Sequence, residues 1–209
     1  MMLAPFHARR IFRKEKDISI IHTSTYGGAI PASIIGMLLH KKVVLTVHEI
    51  FAKLRYLYKG KVKGTIYRLF ERAIFQFPYA CYHCVSRYTM NALRLVYGIS
   101  DQKLRMIYNG VDTAFWNKKN IQESELHQRR STQGWKDYFV VVYYGHAGKS
   151  KGLDYLIAAM PAILQQNKKV LFACNIIQSK RTQETLATLR KLQLRRKHQE
   201  NKERIQIYT

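Results

Sequence analysis

Residues 139–156 read FVVVYYGHAGKSKGLDYL: an apolar run, a Gly- and Lys-rich turn, then an amphipathic stretch. Residues of these types at such a junction are suited to holding an anion. A glycine after a strand, here Gly145, lets a ligand approach the backbone. A helix start, here after Gly152, presents unpaired N–H groups and roughly half a positive charge. Lys149 and Lys151 add full charges. The trio Gly148-Lys149-Ser150 mimics the nucleotide-binding loop G-x-x-x-x-G-K-[ST], but the first glycine of that pattern would fall at Tyr143. Without that glycine the backbone lacks the tight turn that aims its N–H groups at phosphate, so the P-loop reading fails. The residues alone leave two readings: an anion-binding turn, or an ordinary turn whose lysines face water.

The elements around this turn alternate. DISIIH (17–22) is a β-branched strand, TSTYGG a turn, AIPASIIGMLLHK a helix with a basic end, and VVLTVHE (43–49) a buried-type strand. Strand, helix, strand in this order is a βαβ unit and predicts a parallel sheet. A strand at 79–86 follows, then a helix stopped by Gly98 and a short strand that ends at the breaker Asn109-Gly110. After position 137 the alternation resumes: strand 138–145, helix 153–167, strand 169–177, helix 182–194, strand 204–209. The fold class is therefore α/β, with two Rossmann-like parallel-sheet halves. The expected boundaries are a first domain over 1–115, a polar linker over 116–137 and a second domain over 138–209.

The segment 51–77, FAKLRYLYKGKVKGTIYRLFERAIFQF, interleaves bases and aromatics. Ile66, Leu69, Phe70, Ala73, Ile74 and Phe77 recur at helical spacing. One reading packs this stripe on the core with a solvated basic face. The other sets Phe51, Leu54, Tyr56, Leu57 and Tyr58 at a lipid interface, with Lys53, Arg55, Lys59, Lys61 and Lys63 on anionic head groups.

The charge balance is strongly basic: 36 Lys and Arg against 13 Asp and Glu, a formal net charge of +23. Such a surface attracts polyanions, whether nucleic acid, anionic lipid or phosphorylated substrate. LRRKHQENKER is the Arg-rich tract that favours nucleic acid, but no nucleic-acid motif accompanies it and no nucleic-acid partner is expected. No apolar run approaches the ~20 residues of a membrane span, and no signal-peptide pattern opens the chain. A cytoplasmic protein, peripheral at the membrane, is the expectation. Cys81 and Cys84 form a C-x-x-C, but strand alternation puts them on opposite faces, and Cys174 is distant. Ordinary strand cysteines, with no metal site, are expected.

Three stretches carry a family resemblance. VSRYTMNALRLVYGISDQKLRMIYNGVDTAFW (85–116) resembles the end of the N-terminal domain of retaining glycosyltransferases of the GT-B fold. YYGHAGKSKGLDYLIAAMPAI (143–163) resembles the first strand, loop and helix of their C-terminal domain, and VVLTVHE the strand that ends in an active-site histidine. The resemblance implies transfer of a sugar from a nucleotide-diphosphate-sugar donor to a glycan or lipid-linked acceptor, with retention and without a metal at the diphosphate. It implies a donor diphosphate site at Gly145, His146, Lys151 and Gly152, in which Lys151 matches the family lysine. His146 stands where the family often has arginine. Arginine brings a permanent charge and a bidentate grip, and histidine only partial charge near neutral pH. His48 matches the family's catalytic-site histidine. On the acceptor side His22, Tyr26, Gly27, Gly28, Asn109 and Gly110 are candidates, with plain turn residues as the alternative. The family's upstream Gly-rich strand and downstream glutamate pair have no counterpart here, so the chain is expected to be truncated at both ends and inactive in isolation. The rival is a basic nucleic-acid- or membrane-binding module.

Overall fold

The computed structural model describes residues 10–12, 14–15, 17–147, 151–177, 183–194 and 204–208. The chain divides into two compact units, residues 1–111 and 112–209.

In the first unit β1 (Ile20–Ser24), β2 (Lys42–Val47), β3 (Cys81–Cys84) and β4 (Leu104–Met106) form one sheet in that spatial order. All three pairings are parallel. Helix α1 (Ala29–Leu38) joins β1 to β2, the pair α2 (Leu54–Lys59) and α3 (Lys61–Phe75) joins β2 to β3, and α4 (Arg87–Tyr97) joins β3 to β4. Val43, Leu45, Val47, Tyr82, Cys84 and Leu104 meet Ala29, Ala32, Ile74, Phe75 and Leu93 in one core. Because side chains alternate across a sheet, the other face carries His22, Val44, Thr46, Cys81, His83 and Arg105. The two cysteines thus lie on opposite faces, with Cys84 buried and Cys81 half-buried.

Helix α4 shows how local residues set its bounds. Ser86 and Thr89 form a reciprocal capping box at its start. Gly98 ends it in the left-handed region at φ 68, and Ile99 N–H reaches back to the Leu93 carbonyl.

The α2–α3 pair departs from expectation. Gly60 (φ 72) is the break between the helices, whereas Gly64 lies inside α3, where a Cβ would sit 3.0 Å from the Arg55 carbonyl oxygen. Its missing side chain lets α2 approach. The buried positions of α3 are Gly64, Glu71, Ile74 and Phe75. Ile66, Leu69 and Phe70, which one of the two readings packs on the core, are exposed, while Ile74 is buried. The helix is rotated because its inward face must deliver the carboxylate of Glu71, which is wholly buried.

In the second unit β5 (Phe139–His146), β6 (Val170–Ile177) and β7 (Ile205–Tyr208) form a parallel sheet in chain order. Helix α6 (Leu153–Gln166) joins β5 to β6, and Leu153, Ile157, Met160 and Leu164 pack on Val170, Phe172, Cys174 and Ile176. Helix α7 (Gln183–Leu194) adds Leu186 and Leu189. The stretch expected as a linker contains helix α5 (Glu123–Thr132), which has no buried residue. Its acidic first turn and basic last turn suit the helix dipole. The turn after it is fastened to β7, with Trp135 Nε1 donating to Gln206 at 2.7 Å. A helix exposed all round shows no apolar stripe, which is why its sequence reads as linker.

Arg204, from the Arg-rich tract, is buried. Its guanidinium donates to the carbonyls of Leu164 and Asn167 at the end of α6 and of Val170 at the start of β6. That cation is committed to the fold and unavailable to an outside polyanion.

Candidate active site

The carboxyl ends of strands in open α/β sheets are where ligands bind. In the first unit this edge holds a cavity of about 400 Å³ lined by His22, Thr23, Ser24, Thr46, His48, His83 and Asn109. A continuous set of polar contacts crosses three strands there. His22 Nε2 lies 2.6 Å from Thr46 Oγ1, and Thr46 Oγ1 lies 3.0 Å from His83 Nδ1. His83 Nε2 donates to the Ile107 carbonyl at 2.9 Å. The parallel register places Thr46 beside His83, so these side chains share a face.

Of the acceptor-side candidates, His22 and Asn109 line this cavity, together with His48. Tyr26, Gly27, Gly28 and Gly110 do not line it. The Tyr26 hydroxyl donates instead to the Glu49 carbonyl at 2.9 Å and to Glu71 Oε2 at 3.3 Å. The space beside Gly28 is filled by the protein itself: a Cβ there would sit 2.4 Å from Thr23 Oγ1. Gly27 and Gly110 face open space and have no φ that requires glycine. Thr23, Ser24, Thr46 and His83 escaped the sequence reading. Only Thr46 left a trace, as a polar residue inside the buried run VVLTV.

Behind the loop that carries His48 sits a second polar cluster. Glu71 Oε1 accepts from the Ala52 N–H at 2.9 Å and from the Tyr97 hydroxyl at 2.5 Å. Oε2 accepts from Arg55 Nε at 3.1 Å, with Arg55 Nη2 at 3.0 Å. Burial, reinforced by the Glu71 charge, raises the phenol pKa values of Tyr26 and Tyr97 well above their ordinary value, so both remain hydrogen-bond donors. Arg55 also stacks on Phe51 at 4.1 Å and Tyr26 at 4.9 Å. This residue, which the lipid-surface reading sets on head groups, is thus held inside the unit.

In the second unit the donor-side candidates Gly145, His146, Lys151 and Gly152 flank the turn after β5; Gly148, Lys149 and Ser150 lie outside the described residues. Gly145 has φ 139, a conformation open to glycine and strained for other residues. A Cβ on Gly145 would lie 3.9 Å from Lys151 Cγ, so the lysine stem crosses directly over that glycine. Gly152 (φ 67) is the N-cap of α6, with no side-chain cap, and Asp154 occupies the first turn. Tyr143, where a P-loop would have glycine, is a core residue whose hydroxyl donates to the His146 carbonyl at 2.8 Å. It anchors the turn from below and leaves the His146 side chain exposed. Among the described residues no group of three or more His, Cys, Asp or Glu side chains is placed to hold a metal ion. Among them, too, no helix is long and apolar enough to cross a membrane.

The family description "Glycosyltransferase Family 4" matches residues 1–115, more than half of the chain. The chain belongs to glycosyltransferase family 4. An uncharacterized glycosyltransferase of Methanocaldococcus jannaschii is 30% identical over 79 residues, 37% of this family 4 chain and 20% of that protein. Among solved structures, HepE of Anabaena in complex with UDP-glucose superposes with a TM-score of 0.71 at 16% identity, over 95% of this chain and 50% of HepE. A glycosyltransferase of Rickettsia africae gives 0.67 at 14% identity, over 98% and 50%. Sucrose-phosphate synthase of Thermosynechococcus elongatus gives 0.61 at 16%, over 96% and 47%. At such identities the likeness establishes the fold, the two parallel-sheet units of GT-B type. This family 4 chain spans about half the length of these solved relatives.

Proposed function

We propose that this chain serves a glycosyltransferase that moves a sugar from a nucleotide-diphosphate donor to a hydroxyl of a glycan or lipid-linked acceptor. Retention of configuration and a diphosphate site without metal belong to this reading. The observation that carries it is the placement of Lys151 across Gly145 at the start of α6. The glycine leaves the backbone approachable, the lysine brings a full positive charge, and the uncapped helix end offers N–H groups. Charge that develops on a departing nucleoside diphosphate is stabilised by such fixed donors. Asp154 offsets part of the helix dipole, so Lys151 is the larger contributor. HepE, of the same fold, binds UDP and UDP-glucose.

The first unit supplies the acceptor side. Its cavity is lined by imidazole, hydroxyl and amide groups, with no carboxylate, lysine or arginine. That lining suits an uncharged polyol, and His48 stands at the tip of β2 to contact it. The α2–α3 hairpin adds a membrane-facing surface. Leu57, Val62, Ile66, Leu69 and Phe70 are exposed there, beside Lys53, Lys61 and Lys63. An apolar strip rimmed by lysine fits an anionic bilayer that presents a lipid-linked acceptor.

Calorimetric titration of the full chain with UDP, GDP and their sugar conjugates tests the reading. Binding is expected, with Lys151→Ala weakening it about tenfold, roughly 1.4 kcal/mol, and Lys151→Arg retaining it. Indifference of binding to Lys151→Ala, or no binding to any of these nucleotides, would remove the proposal.

A further inference from the structure

The three contacts that join His22, Thr46 and His83 admit one direction when both imidazoles are neutral. The Ile107 carbonyl has no proton to give, so His83 Nε2 carries one. The neutral ring then has a bare Nδ1, which must accept from the Thr46 hydroxyl. Thr46 has a single proton and has used it. Its oxygen can only accept from His22, so His22 Nε2 bears the hydrogen. Each assignment follows from the one before, and the chain starts at a backbone atom that cannot change role.

We propose that His83, acting through Thr46, is a positioning residue that holds His22 as its Nε2–H tautomer. The bare Nδ1 of His22 is then the acceptor for a sugar hydroxyl in the cavity at the carboxyl edge of the first sheet. Among the described residues Nδ1 of His22 has no protein partner, and His22 lines that cavity. Thr46 is only 5% exposed, so water does not readily replace it in the chain. His48 lines the same cavity outside this chain of bonds. The inference rests on the acceptor-side reading of the first unit and adds to it the proton position that a hydroxyl ligand would meet.

The test is long-range proton–nitrogen correlation spectroscopy on the full chain labelled with ¹⁵N-histidine, at a pH where the imidazoles are neutral. The His22 signals are identified by their loss in His22→Gln. The expected pattern is Nε2–H with a bare Nδ1. Thr46→Ser should keep it, because the hydroxyl remains; Thr46→Val, of matching shape, should release it to a mixture of tautomers. An Nδ1–H pattern in the native chain, or an unchanged pattern in Thr46→Val, overturns the relay. Titration with glucose should then shift His22 Nδ1 in the native chain and in Thr46→Ser, and not in Thr46→Val. No shift in the native chain overturns the acceptor role. The tautomer is read without any nucleotide, so its failure leaves the donor-side result at Lys151 untouched, and the reverse holds too.

Discussion

The carboxylate of Glu71, in the middle of α3, accepts the backbone N–H of Ala52 at 2.9 Å, nineteen positions earlier in the chain. Ala52 sits at φ 43, in a left-handed conformation that alanine rarely adopts. The bond therefore fixes the loop that leaves β2 just after His48. Glu71 also gathers Arg55, Tyr97 and Tyr26. Removing this carboxylate would strand a nearly buried guanidinium and a backbone donor. Glu71→Ala should destabilise the first unit by about 3–5 kcal/mol, and Glu71→Gln by less. Urea denaturation of the full chain measures this; a loss under about 0.5 kcal/mol would show that the cluster does not hold the loop.

His146 and Tyr143 share a turn but play separate parts. The Tyr143 hydroxyl holds the His146 backbone, and the His146 side chain is exposed. An arginine at 146 would keep the backbone contact and add a permanent, forked cation. His146→Arg is expected to tighten nucleoside diphosphate binding several-fold, about 1 kcal/mol, with an unchanged melting temperature. Equal or weaker binding in the same titration argues against a diphosphate at this turn.

The cysteines should react unequally. Burial pushes the thiols of Cys84 and Cys174 up to about 11, while Cys81 is half-buried. A raised thiol pKa keeps the proton on, so at pH 8 both buried thiols stay protonated and unreactive. A disulfide-exchange reagent should titrate Cys81 quickly and the other two only after denaturation. Rapid modification of all three in the native chain would contradict the packing of both sheets.

The exposed strip on the α2–α3 hairpin should bind anionic vesicles. Co-sedimentation is expected with phosphatidylserine-containing vesicles and not with neutral ones. Leu69→Glu should abolish it, because it places a charge in the strip and repels the head groups. Equal sedimentation with both vesicle types, or none with either, would remove the bilayer from the reading.

The alternation of apolar runs and amphipathic stretches was enough to predict two parallel α/β halves, because burial between helices forces strands to be continuously apolar. Gly98 as a C-cap was legible for a local reason, since it acts through its own φ. The failure of the P-loop pattern at Tyr143 was legible by counting, and the structure adds what that tyrosine does instead. His48 and Asn109 could be placed just past strand ends from sequence alone, whereas the strand expected over 17–22 runs over Ile20–Ser24 and has His22 at its centre, not its end.

What local pattern could not reveal depends on partners distant in the chain. The inward face of α3 is set by Glu71, and the partners that make its carboxylate tolerable come from four other segments. Apolar periodicity therefore placed Ile74 and Phe77 on the core side but not Ile66, Leu69 and Phe70. Thr46 and His83 are separated by 37 positions and adjoin only because β2 and β3 pair in register. The sequence by itself determined the alternation of strands and helices and the residue types at the turn after β5, because those follow from near neighbours along the chain. Only the tertiary structure decided which polar groups meet, and hence where a proton must sit, because sheet register and helix rotation are settled by packing across the whole unit.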